Sequence, residues 1–128
     1  MNNPKRILDK HTGLKRLCFA FINSLHGLNA GIRHESALRQ EFIIFVVLMP
    51  VVFLINFSGL ERLALIASVL AVIVVELLNS AIEATLDRVS TEWHPLTKRA
   101  KDYGSLAVLL TLIIAVATWA LLLWPKII

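Results

Sequence analysis

The chain has 128 residues, of which 57% are hydrophobic and 17% charged, with a formal net charge of +4 and a mean hydropathy of +0.72. That length limits it to one domain, and that hydropathy excludes an ordinary soluble one. A single cysteine, Cys18, excludes an internal disulfide and offers no zinc spacing, and membrane-facing Lys/Arg account for the charge better than nucleic acid does.

Residues 1–41 carry seven Lys/Arg and no long apolar run, so nothing there resembles the apolar core of a cleavable signal. Within them, Leu14, Leu17, Phe21, Leu25 and Leu28 repeat at three and four residues. Lys15, Arg16, Asn23 and His26 gather on the opposite side, with Phe19 intruding among them. This pattern predicts an amphipathic helix lying on a membrane. Gly27 and Gly31 predict a bend or close packing, followed by a second short helix that carries Glu35, Arg39 and Glu41 into a first span at 42–57. That span is only 16 residues and contains Pro50, so it crosses with its flanks or a tilt.

After a turn at 58–62, a second apolar helix runs over 63–83 and ends among carboxylates. The 84–104 segment is a loop broken at Trp93-His94-Pro95, because proline disfavours helix at the residue before it. Thr97 to Asp102 begins the last helix, and Ser105 to Trp124 gives 20 uncharged residues, enough to cross about 30 Å of hydrocarbon. Ala107, Thr111 and Ala115 form a ladder of small residues suited to close helix contact, within one chain or between chains. The fold class is therefore all-α integral membrane, with three transmembrane helices and an N-terminal surface helix. A buried three-helix core in a soluble protein is the competing architecture. So thin a bundle favours oligomerisation. Four basic residues lie in 84–104, one in 58–62 and one at Lys126. The positive-inside rule then puts the N-terminus and the 84–104 loop in the cytoplasm.

The chemistry lies on the line ELLNSAIEATLD, residues 76–87. At about 100° per residue, Glu76, Asn79, Ser80, Glu83 and Asp87 share one helix face. A carboxylate near hydrocarbon is costly, so it faces a partner, a cavity or a substrate. Glu83 is expected near the headgroups and Glu76 deeper, about 10 Å along the helix. The desolvated setting of Glu76 suits a general base working near neutral pH. Glu35 with Glu83 could hold Mg²⁺ against substrate phosphates, with loop cations neutralising phosphate charge. Plainer readings stay open: a solvated helix end for Glu83, Asp87 and Arg88, and polar glue between helices for Glu76 and Asn79. The four histidines, His11, His26, His34 and His94, form no ligand pair at helical spacing. No P-loop and no protein-kinase motif set is present.

The 76–87 line resembles the signature of the small bacterial integral-membrane diacylglycerol kinases. Supporting matches are Glu35-Ser-Ala-Leu-Arg-Gln-Glu41, Thr12-Gly13 with Arg16, Glu92-Trp-His94, Arg99-Ala-Lys101-Asp102 and Gly104-Ser105, with Trp119 and Trp124 near the end. The resemblance implies transfer of the γ-phosphate of MgATP to the primary hydroxyl of diacylglycerol, giving phosphatidic acid at the inner membrane. It implies Glu76 as catalytic base with Asn79 supporting it, and Glu35 and Glu83 as metal ligands. Nucleotide contacts fall at Arg16, Asn23, Glu35, Glu83, Glu92, His94, Lys101 and Asp102. Lipid contacts fall at Arg16, Glu41, Glu76, Ser105 and Trp119. The implied assembly is a homotrimer with composite sites. Asn23 departs from the aromatic residue that related enzymes use at its position. An undecaprenol kinase is the rival within the family, while a small proton-coupled carrier and an assembly subunit are rivals of other classes.

Overall fold

A computed structural model describes residues 12–128, which fold into four helices and no strand among the described residues. In chain order they are α1 (Gly13–His34), α2 (Ser36–Leu54), α3 (Gly59–Val89) and α4 (Pro95–Ile127). His11, with Lys5, Arg6 and Lys10 of the basic N-terminal set, lies outside the described residues. The helices α2, α3 and α4 are each long and apolar enough to cross a membrane. The chain is a membrane protein.

Each helix boundary has a local cause. Gly13 opens α1 at φ 63°, in the left-handed region that favours glycine. At the other end α1 stops at Glu35, whose extended backbone (φ −111°, ψ 109°) makes the elbow into α2. Arg39 reaches back across this elbow, its Nη1 donating to the carbonyls of Ile32 (3.0 Å) and Arg33 (3.1 Å). A cation there satisfies carbonyls that the helix end leaves open. Two sequence expectations need correction here. No break in the helix falls at Gly27 or Gly31, since α1 is continuous to His34, and no separate short helix precedes the first span, because α2 runs unbroken from Ser36 to Leu54. Gly31 instead serves close packing: a Cβ there would stand 2.9 Å from Leu38 Cδ1. Pro50 sits inside α2 without ending it, at the cost of one backbone hydrogen bond.

Ser58 starts α3 with a reciprocal cap. Its Oγ accepts from the Glu61 N–H (3.2 Å), while its own N–H donates to Glu61 Oε2 (2.6 Å). The 31 residues of α3 rise about 46 Å, well beyond a hydrocarbon core of about 30 Å, so its C-terminal turns project from the apolar zone. His94 caps α4, its Nδ1 accepting from the Leu96 N–H at 3.1 Å, and Pro95 takes the first helical position, where its missing donor costs nothing. The non-helical part of the 84–104 segment is therefore the short connection at 90–94.

The helices α3 and α4 pack against each other most extensively, with α2 on α3 and α1 on α2. A compact cluster of Val52, Phe57 and Leu65, covered by Met49, Ile66, Trp119 and Leu122, closes the end where α2 turns into α3. Lys126 fastens α4 to that turn, 3.7 Å from Glu61 Oε2 and 5.7 Å above the Phe57 ring centroid. At the opposite end lie the α1–α2 elbow and the α3–α4 connection, and between them the carboxylates.

Candidate active site

The shared face expected on α3 is present as a gradient of burial. Glu76 is 9% exposed, Asn79, Ser80 and Glu83 are half-buried, and Asp87 is exposed. Leu77, Leu78 and Ile82, on the other side of the helix, are open to the surroundings. Sequence spacing predicts this arrangement because the polar stripe turns inward while the leucines meet lipid.

Other helices bring further carboxylates to the stripe. Glu35, the elbow residue, and Glu83 both lie within electrostatic reach of Glu76, and Glu41 on α2 interacts with Glu76 as well. Asn79 stands between Glu76 and Glu83 on the helix, and its Nδ2 donates to Glu83 Oε1 at 3.3 Å. Two acceptor atoms here, Glu41 Oε2 and Asn79 Oδ1, are buried and make no hydrogen bond within the described chain. Of the two, Glu41 Oε2, unpartnered among other acids at the head of an apolar cavity, is what a substrate site presents.

The α3–α4 connection adds cations at the exposed end. Lys101 Nζ lies 2.8 Å from Asp87 Oδ1 and close enough to Glu83 to interact with it. Lys101 stands above the uncharged stretch that begins at Ser105. There the hydrogen bond to Asp87 raises the lysine pKa above its ordinary value, so the ammonium stays charged. Asp102, one residue on, pairs with Lys98 at 2.6 Å on the exposed side of α4. The spacing on α4 allows that i,i+4 pair. The Asp87–Lys101 pair joins two helices across 14 residues, and no periodicity points to it.

Gly104 is the other feature that residue spacing leaves unseen. It is one of two buried positions on α4, and a Cβ built on it would collide with the Asn79 side-chain amide. The Asn79 amide thus lies directly against the α4 backbone at Gly104.

Some of the predicted residues stand apart from this cluster. Arg16 and Asn23 are exposed on α1, about 28 Å and about 18 Å of helix axis from Glu35, and neither is hydrogen-bonded or ion-paired to the carboxylates. Glu92 is exposed in the connection, its N–H donating to Ser90 Oγ (3.0 Å), and His94 is engaged as the α4 cap. Ser105 is exposed beside Gly104. Trp119 lies about 21 Å further along α4, but it shares a cavity with Glu41. This cavity, about 510 Å³, is lined by Glu41, Leu48, Val72, Leu112, Trp119 and Leu123 among others. Glu41 is its one charged residue. Among the described residues, no three His, Cys, Asp or Glu side chains are gathered as a metal cage. Two carboxylates are nevertheless what Mg²⁺ uses when substrate phosphates and water complete its octahedron, and Glu35 and Glu83, each within electrostatic reach of Glu76, have the donor chemistry for it.

Comparison with known proteins bears on this geometry. The family described as prokaryotic diacylglycerol kinase matches residues 22–123. A diacylglycerol kinase of Pseudomonas aeruginosa is 53% identical over 112 residues, covering 88% of this chain and 91% of its own length. One from Escherichia coli is 44% identical over 113 residues, covering 88% and 93%. One from Haemophilus influenzae is 41% identical over 110 residues, covering 86% and 93%. The match takes in the α1–α2 elbow, the whole α3 stripe and the Lys101–Ser105 segment, and the chain belongs to the prokaryotic diacylglycerol kinase family.

Proposed function

We infer that this protein is a diacylglycerol kinase, transferring the γ-phosphate of ATP to the primary hydroxyl of diacylglycerol to form phosphatidic acid. The observation that carries this reading is that Glu35 from the α1–α2 elbow and Glu83 on α3 both lie within electrostatic reach of the buried Glu76, between an apolar cavity that begins at Glu41 and the exposed Lys101. A lipid hydroxyl and a soluble phosphate donor can meet only at such a boundary.

Glu76 is the base. Its carboxylate accepts the proton of the lipid hydroxyl as that oxygen bonds to the γ-phosphorus and the bond to the β–γ bridging oxygen breaks, leaving ADP. Its burial supports this role, because it keeps bulk water from competing with the lipid hydroxyl for the carboxylate. Asn79 holds Glu83 in orientation through its Nδ2 and supports the base one turn away. Glu35 and Glu83 would hold Mg²⁺, which would supply charge neutralisation to the nucleotide phosphates. The remaining work is positioning, as phosphoryl transfer requires. Lys101, with Asp102, Glu92 and His94 near it in sequence, receives the nucleotide. The cavity from Glu41 to Trp119 takes the acyl chains, and Glu41 with Ser105 marks the headgroup level.

Arg16 and Asn23 serve the nucleotide and lipid in a neighbouring copy, in keeping with a homotrimer whose sites are composite. Their distance from Glu35 along α1 supports that assignment. The enzyme lies in the bacterial inner membrane with the N-terminus and the site facing the cytoplasm. The division of basic residues and the location of ATP support this orientation.

Purified protein in mixed micelles, given γ-labelled ATP and a panel of lipid alcohols, tests the reading. Label is expected in diacylglycerol and not in undecaprenol, from particles whose protein mass by light scattering is three chains. Label in undecaprenol alone would overturn the substrate. Ion flux in proteoliposomes without any lipid labelling would overturn the enzyme.

A further inference from the structure

We propose that Gly104 is a positioning residue of the phosphoryl-transfer site: the space left by its absent side chain is the seat of the Asn79 amide and, through it, of the Glu83 carboxylate. The inference rests on the reading of Glu83 as a ligand for the nucleotide's metal.

The geometry is specific to this glycine. A Cβ on Gly104 would strike Asn79 Oδ1 and stand 3.1 Å from Asn79 Cγ and 3.8 Å from its Cβ. Exchanging the amide oxygen and nitrogen brings no relief, because the nitrogen would then stand where the oxygen does, and the amide carbon is already close at 3.1 Å. Asn79 lies in the interior of α3, where its backbone cannot retreat without breaking helix hydrogen bonds on both sides. Gly13, Gly27 and Gly59 have nothing within 4 Å of such a Cβ, and Gly31 meets only the apolar methyl groups of Leu38 and Leu77. Among the described glycines, only Gly104 would therefore disturb a polar group of the site.

The seat matters because Asn79 is held by shape on one side and by a single hydrogen bond on the other. Its Oδ1 is buried and makes no hydrogen bond, so no acceptor contact fixes the amide plane. Its Nδ2 donates to Glu83 Oε1 at 3.3 Å, a long bond that a small rotation would lose. With a methyl group at position 104, the amide must turn or α4 must withdraw, and either movement releases Glu83. Glu76, three residues before Asn79, keeps its place in the buried part of α3. The effect is thus directed at the metal-binding end of the stripe.

The test uses full-length protein in micelles, with turnover followed against Mg²⁺ concentration and MgATP affinity measured separately by equilibrium binding. Gly104→Ala is expected to lower turnover at least tenfold and to raise the Mg²⁺ needed for half-maximal rate several-fold, with the KM for diacylglycerol within twofold of wild type. Gly27→Ala, which meets open space, is expected to behave as wild type. In binding, Gly104→Ala should weaken MgATP several-fold when Asn79 is present and by less than twofold in an Asn79→Ala background, because the struck group is then gone. Equal losses in the two backgrounds, or wild-type Mg²⁺ dependence in Gly104→Ala, would overturn the proposal. Should Gly104→Ala fail to fold, recovery of folded Asn79→Ala/Gly104→Ala protein would support the clash, and failure of that double variant would overturn it. Glu83→Gln measured in parallel separates the two levels. An unmoved Mg²⁺ dependence there contradicts the assignment of Glu83, whereas a raised one beside a silent Gly104→Ala contradicts only the role of Gly104.

Discussion

Asp87 stands at the exposed edge of the carboxylate stripe. Its carboxylate, 2.8 Å from Lys101 Nζ, fixes the direction of an ammonium that lies within reach of Glu83. The pair is exposed and screened by solvent, so its contribution is small. Asp87→Asn is accordingly expected to raise the KM for ATP roughly two- to fivefold with kcat nearly unchanged. Steady-state kinetics against ATP at saturating lipid would show this. A large fall in kcat at unchanged KM would instead place Asp87 among the groups that meet the reacting atoms. The contrast with Glu76 is one of depth: the same residue chemistry, eleven positions earlier, lies buried and has no cation beside it among the described residues.

At the scale of elements, helical spacing made much of α3 legible. The face from Glu76 to Asp87 follows from 3.6 residues per turn, and the leucines at 77 and 78 could only point away from it. The α4 boundary at His94-Pro95 was also readable, because proline acts through local sterics. The α1–α2 elbow was not. Two glycines drew attention to positions 27 and 31, while the chain breaks at Glu35, where the guanidinium of Arg39 takes up the last carbonyls of α1. Gly104 and the Asp87–Lys101 pair were hidden for a related reason. Both depend on the register of α3 against α4, which no single-helix pattern contains. The cap of α3 gives an element-level prediction. Ser58→Ala removes one side of the reciprocal pair with Glu61 and is expected to cost about 1 kcal/mol of stability. Because it lies at the opposite end from the carboxylates, turnover at moderate temperature should not change. Thermal inactivation in micelles compared with initial rates separates the two effects, and a loss of rate without a loss of stability would contradict the account.

Across the whole molecule, α3 carries the site and the other helices complete it. Glu76 and Glu83 of α3 are joined by Glu41 from α2 and Glu35 from the α1–α2 elbow, and α4 closes over Asn79 through a backbone without a side chain. The cavity between Glu41 and Trp119 runs from the carboxylate level toward the clasp formed by Lys126, Glu61 and Phe57. Hydrophobic composition made the three crossings legible, since their residues are apolar far beyond what a soluble fold carries. The meeting of Glu35 with Glu76 was less accessible, because it requires the elbow of one helix to arrive at the middle of another. The central claim is that this meeting place transfers phosphate to a lipid hydroxyl with Glu76 as base. Its most direct test is Glu76→Gln, assayed for transfer of label from ATP to diacylglycerol alongside equilibrium binding of MgATP. Turnover is predicted to fall by about a hundred- to ten-thousand-fold while MgATP binds within a few-fold of wild type. Near-wild-type turnover in that variant would contradict the account.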